Sequence, residues 1–348
     1  MKRIIFLLTM FILSAGSLSF LAQDIKTESE KIILYEPLKV TVKNYFSVQN
    51  TSKREAVDVL VTILVGQDDS IYQVNITGNV TPEPIKWNTD DLGNYYAIHE
   101  FPSIKSGEKK EIIVSRTSVN YAVSFDDAIW EVKGDYSKFT TKDNKKYLLP
   151  SVAIESADPL FISAAQNFDK NWTVMERVYG IFSYINTGMT YDTNPLYANT
   201  SALNAIKTMR GVCTEFSGAF VAICRANGIP ARIVSGYWPR KDLREGIEEL
   251  MMSDDRHSWA EFYVPDYGWV PVEPSSIYTH GDVRQVSNKD FAAILPTSRH
   301  FIYSYGLDKE REGNIAVNYS YYGEESKEVL ITVDLFKESI ILESLPTL

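Results

Sequence analysis

Only two of the 348 residues are cysteines and only four are histidines. Two cysteines cannot build a disulfide scaffold, and four scattered histidines argue against a histidine-rich metal site. Basic residues are also short. Lys and Arg number 35 against 45 Asp and Glu, a net charge of −10. A chain this acidic lacks the basic footprint that nucleic acid or anionic lipid needs as a main partner. After residue 22 no apolar run reaches the roughly 18 residues of a membrane-spanning helix, and there is no repeat or low-complexity tract. Aromatics, by contrast, are plentiful: 21 Tyr, 16 Phe and 6 Trp. They suffice for sizeable cores, and the length suggests two or three domains at roughly 150 residues each.

Lys2 and Arg3 precede an apolar run over residues 4–22. A basic start, an apolar stretch and then small residues describe an export signal over 1–22, either cleaved or kept as an N-terminal anchor. The rest of the chain is therefore expected in a secreted, periplasmic or cell-surface setting, with no other membrane contact. Residues 24–150 alternate with period two at 38–42, 57–62, 95–98 and 111–114, between turn signals at 66–69, 89–94 and 106–108. Short strands at this spacing predict a β-sandwich of immunoglobulin-like shape. Over residues 151–295 the period changes. Asp158 can cap a helix with Pro159 at its first position, and Thr173 with Glu176 makes a capping box. A third helix begins near Cys213, and strands return at 231–237, 257–264 and 269–273. Helices followed by an antiparallel sheet predict an α+β domain. Residues 296–348 alternate again, as a small third β-domain or as extra strands on the second.

Cys213 opens its helix after Gly211, and Phe216, Ala219, Phe220 and Ile223 then share one face until Asn227-Gly228 stops it. Unpaired N–H groups and the helix dipole at that end favour a thiolate, which is how a thiol becomes a nucleophile near neutral pH. A bridge to Cys224 fails on distance. Eleven helical residues at about 1.5 Å each separate the two by roughly 16 Å, against under about 7 Å for a disulfide. Cys224 lies on the apolar face with Phe220, so burial accounts for it. Cys213 has no such explanation, and its position leaves structural and catalytic readings open. His257 starts a strand, and Glu273 ends the strand that returns through 265–268. Together they supply the base and the orienting carboxylate that an activated thiol requires.

The blocks Gly211-x-Cys213-x-Glu215-Phe216, Ala226-x-Gly228-Ile229-Pro230-Ala231-Arg232, His257-x-Trp259-x-Glu261 and Gly268-Trp269-Val270-Pro271-Val272-Glu273-Pro274, in that order, resemble the transglutaminase-like superfamily over about residues 160–275. The resemblance implies a papain-like core, with Cys213 as nucleophile and His257 as base. The family usually has Asp where this chain has Glu273, which keeps the charge and adds a methylene. No calcium-ligand loop is visible, so the calcium dependence of some animal relatives does not carry over, and no cofactor is expected.

Strand parity tests the third member. A two-residue turn would pair Val264 with Trp269 and set Glu273 opposite Ala260, on the face away from His257. A shared face needs an odd-length turn or a bulge, and Gly268 could take a left-handed conformation to allow a three-residue loop. Trp259 and Trp269 are expected to fill the core. The charged stretch 239–255 reads as a lid or as a solvated excursion. The resulting expectation is an exported thiol enzyme acting on protein or peptide amides by hydrolysis or acyl transfer. The alternative is a non-catalytic surface protein that only grips peptides.

Overall fold

In the computed structural model the described residues are 31–137, 139, 145–198, 200–239, 243–251, 255–275, 279–280, 283–284, 298–306, 317–322 and 331–345. The expected export signal lies outside them. Six strands come first: β1 (Ile32–Asn50), β2 (Ala56–Gln67), β3 (Gln73–Thr81), β4 (Lys86–Thr89), β5 (Asn94–Ile104) and β6 (Lys109–Phe125). Along β1 the residues Val40, Val42, Asn44, Phe46, Val48 and Asn50 are all buried, the alternation of a strand with one face on a core. Asp90 turns the chain into β5 by accepting from the Leu92 and Asn94 N–H groups.

The next strands are short or lie in the second half: β7 (Thr190–Tyr191), β8 (Arg210–Gly211), β9 (Ala231–Tyr237), β10 (Glu249–Leu250), β11 (Arg256–Val264), β12 (Gly268–Val272), β13 (Thr279–His280), β14 (Val283–Arg284), β15 (Phe301–Tyr305), β16 (Val317–Tyr322) and β17 (Ile331–Ser344). One sheet runs β10-β17-β1-β6-β3 and a second runs β16-β2-β5-β4. Phe46, Val48, Val59, Val61, Ile63, Ala97, Ile112, Val114 and Ile331 form one core shared by the two. The sheets are thus not confined to residues 24–150. Nor do the described strands of the tail form a third domain or belong wholly to the second: β17 pairs along β1 from Leu38↔Ser344 to Asn50↔Ile331, and β16 pairs with β2. Among the described strands of the tail, only β15 pairs into the second domain, beside β9. Pairings this distant in sequence leave no local trace beyond the alternation itself.

The helical half starts as its caps dictate. Asp158 accepts from the Leu160 N–H ahead of the Pro159–Ala165 helix. Thr173 and Glu176 exchange hydrogen bonds at the start of Val174–Gly188. The Ala202–Thr208 and Cys213–Ala226 helices follow. Phe216, Ala219, Phe220 and Cys224 then pack against Ala260, Phe262, Val264, Val270 and Val272. These are one face of a four-stranded sheet ordered β12-β11-β9-β15. The other face carries Val234, Trp259, Ile302 and Tyr305, and Tyr72 and Val123 of the first domain cover it. Buried hydrogen bonds tie the layers together: Trp259 Nε1 donates to Tyr72 Oη (3.0 Å), and Tyr72 donates to Glu261 (2.7 Å), which also pairs with Arg232 (2.6 Å).

Trp259 fills the core as expected. Trp269 is less buried and lies under the Arg232 guanidinium, 4.2 Å from its ring centre. The described part of 239–255 is not a free flap. Gly246 and Met251 donate their N–H groups to Leu342 and Glu338, and β10 is the edge strand beside β17. The docking follows from Met251, a buried residue packed with Val42 and Tyr237.

Candidate active site

Gly211 has no side chain because there is no room for one. A Cβ there would meet the Glu215 Cβ at 2.2 Å. Glu215, nearly fully buried, folds back so that its carboxylate accepts from the Val212 and Thr200 N–H groups at 3.0 and 2.7 Å. That closes the entry to the Cys213–Ala226 helix and leaves Cys213 as its first residue. Ser217, one turn on, donates to the Ser258 carbonyl of β11, which fixes the helix end against the strand that starts near His257.

The β11–β12 hairpin has a three-residue loop. Val264 pairs with Gly268 and Ala260 with Val272, with Asp266 at φ +65° and Gly268 at φ +89°. Positive φ at both positions is the backbone this odd loop needs. Its consequence is parity: Glu273, just past β12, falls opposite Trp259 and so on the His257 face. His257 Nε2 and Glu273 Oε2 are 2.5 Å apart, and both side chains are buried. Ser275 donates to the other oxygen, Oε1, at 2.7 Å. Asn186, from the Val174–Gly188 helix, donates to the Pro274 carbonyl and holds the end of the hairpin. His257 Nδ1 is buried, and the ring interacts with the Cys213 thiol as well as with Glu273.

The electrostatics follow from this packing. Burial alone would raise the Cys213 thiol, but the His257 charge and hydrogen bond and the Ser258 backbone outweigh it and hold the thiol below its ordinary value. Burial alone would lower His257, but the charges of Glu273 and Cys213 raise it from 6.5 to about 10. Glu273 also resists burial and is brought far below the usual carboxylate range by His257, then by His300. These shifts favour a charged His257 ring beside the Glu273 carboxylate and ease ionisation of the Cys213 thiol. Cys224 is the opposite case: burial in the core pushes its thiol far up, and both cysteines are free.

His300 had no motif to flag it. It lies just before β15, its Nε2 is 3.8 Å from Glu273 Oε2, and its ring stacks on Trp238 (centroids 4.8 Å, 19°). His257, Glu273 and His300 present ligand atoms within 4.8 Å of one another, the right donor types for a metal ion. The spacing does not fit one. Ligand atoms around a tetrahedral zinc lie about 3.3 Å apart, whereas the His257–Glu273 pair is at hydrogen-bond distance, 2.5 Å. The cluster is a short His257–Glu273 hydrogen bond with the His300 ring at ion-pair distance, rather than a metal centre.

Residues 162–274, which hold all three expected site residues, match the family model of the transglutaminase-like superfamily. The chain carries a transglutaminase-like core. A solved structure from Cytophaga hutchinsonii, described as a candidate cysteine protease, covers 90% of this chain and all of its own at 15% identity and a TM-score of 0.58, so the two share a fold. The uncharacterized protein YebA of Bacillus subtilis is 26% identical over 200 residues, 55% of this chain and 24% of its own. A protein-glutamine gamma-glutamyltransferase of Pseudomonas aeruginosa is 38% identical over 68 residues, 20% of this chain and 10% of its own. The match thus spans about a quarter or less of these two curated relatives. His300 lies outside the segment that the transglutaminase-like model covers.

Proposed function

We propose that this chain is an exported thiol enzyme acting on protein or peptide amides through Cys213, His257 and Glu273. The observation that carries the reading is the buried 2.5 Å contact of His257 Nε2 with Glu273, on a hairpin whose register turns both side chains to one face. In the first step the Cys213 thiolate attacks the amide carbonyl carbon and forms a C–S bond. The Cys213 N–H, at the helix end, is placed to donate to the developing oxyanion. His257 gives its proton to the nitrogen as the C–N bond breaks, and the amine leaves. The resulting thioester is then attacked by water or by a second amine, whose proton returns to His257, and the thiolate is released. Glu273 keeps the imidazole oriented and stabilises its charge. The relatives are named for hydrolase and transferase chemistry alike, and the thioester serves both. Lys2, Arg3 and the apolar run behind them support export.

The test is alkylation by iodoacetamide, followed by peptide mass spectrometry between about pH 5 and 9. Cys213 should react well below the ordinary thiol value of about 8.5. Cys213→Ala should remove the labelled peptide, and Cys224→Ala should leave Cys213 labelling intact. A Cys213 that reacts only like an ordinary thiol would identify a binding module with an inert cleft and refute the enzyme reading.

A further inference from the structure

We propose that His300 is a positioning residue for this triad, holding the Glu273 carboxylate turned toward His257. The proposal rests on the triad reading above and extends it to a residue beyond the transglutaminase-like segment.

Glutamate at this position creates the need. Its extra methylene adds a rotatable bond, so the carboxylate can leave the His257 ring in more ways than that of an aspartate. Three groups surround it. His257 meets Oε2 at 2.5 Å, Ser275 donates to Oε1 at 2.7 Å, and the His300 Nε2 stands 3.8 Å from Oε2. His257 and His300 thus both approach Oε2, and Ser275 holds the other oxygen.

His300 is built to stay there. Its side chain is 2% exposed. One face of the ring lies on Trp238 at 19° and 4.8 Å, and Trp259 meets it edge-on at 76° and 5.1 Å. Its carbonyl accepts from Asn120 Nδ2 at 2.6 Å, and Ser118 in turn donates to Asn120 Oδ1. Both come from β6 of the first domain, so that domain locks the histidine against the second domain's carboxylate. Among the described residues, the ionisable groups that act on Glu273 are His257 from β11 and His300 itself, and Cys213 from the helix acts on His257.

Two variants of the full chain test the proposal. His300→Phe keeps a ring of similar size for the Trp stack and removes the N–H. His300→Gln keeps a donor and loses the ring. The readout is the pH profile of Cys213 alkylation by iodoacetamide, with unfolding curves measured on the same samples. In His300→Phe the acid limb should move up by about one pH unit, a roughly tenfold slower reaction below it, and His300→Gln should recover part of that loss. Glu273→Gln serves as the reference for losing the carboxylate charge. If both His300 variants fold and overlay the wild-type profile while Glu273→Gln displaces it, the positioning role is overturned and the triad stands. If the wild-type profile is that of an ordinary thiol and Glu273→Gln leaves it unchanged, the triad reading itself fails.

Discussion

Replacing Glu273 by Gln removes one negative charge from a buried pair and keeps the shape of the side chain. The size of the effect can be worked from the pair. His257 is raised from 6.5 to about 10, a preference of ~5 kcal/mol for the charged ring at about 1.36 kcal/mol per pH unit. Two unit charges about 4 Å apart attract by about 4 kcal/mol at an effective dielectric of 20, so the contact can supply this order of energy. Cys213 shares the effect with Glu273, which leaves roughly half, ~2–3 kcal/mol, to the carboxylate. The pH dependence has two parts. The depressed Glu273 contributes stability that is present above its unfolded value near 4.3 and lost as pH falls below it. The raised His257 contributes stability that is complete below about 6.5 and lost as pH rises toward about 10. Urea unfolding at about pH 5.5 should therefore show the largest penalty for Glu273→Gln, ~2–3 kcal/mol, shrinking toward about pH 10. With only four histidines in the chain, ring-proton NMR can follow His257 directly. It should titrate near 10 in the wild type and about two pH units lower in the variant. A wild-type His257 that titrates near 6.5, or a penalty that is the same at every pH, would refute the charge state assigned to the site.

Further predictions concern the frame around it. Tyr72→Phe strands the Trp259 N–H and one Glu261 oxygen in a dry layer, so unfolding should cost ~1–3 kcal/mol less; an unchanged midpoint would mean that water replaces the hydroxyl. Ile331→Ala, at a fully buried core position of β17, should destabilise by ~2–4 kcal/mol in the same assay. A cost within error would show that β17 adds little to the first domain.

The parts of this structure that were legible from sequence are those governed by neighbours along the chain. Asp158-Pro159 and the Thr173–Glu176 pair act within a few residues, and both start helices as read. Gly211 and the apolar face after it place Cys213 at a helix start for equally local reasons. Parity carried the hairpin argument further. A shared face for His257 and Glu273 demanded an odd loop, and the loop has three residues. The tail was harder, because alternation says that 331–344 is a strand and not which strand it joins. The 239–255 stretch carried a charge pattern suited to solvent, whereas Met251 is buried with Val42 and Tyr237 in a core whose other members are distant in sequence. His300 could not be found by spacing at all: three-dimensional packing against Trp238, just after β9, and Trp259, within β11, brings it to Glu273.

The pairing of β17 with β1 imposes an order of events on a chain that emerges from one end. During synthesis or threading through a membrane pore, β1 appears early, and the edge that β17 will occupy stays open until Ile331–Ser344 arrive. An open strand edge is a template for pairing with other chains, so the nascent protein is most exposed to misassembly while it is nearly complete. His300 and β15 also arrive late, after the cysteine, the first histidine and the carboxylate. Cys213 therefore reaches its full surroundings only when the last strands have closed. A chain cut short after residue 295 would hold Cys213, His257 and Glu273 but lack both the support beside Glu273 and the strand that completes the first sheet. Maturation of the thiol is coupled in this way to completion of the polypeptide.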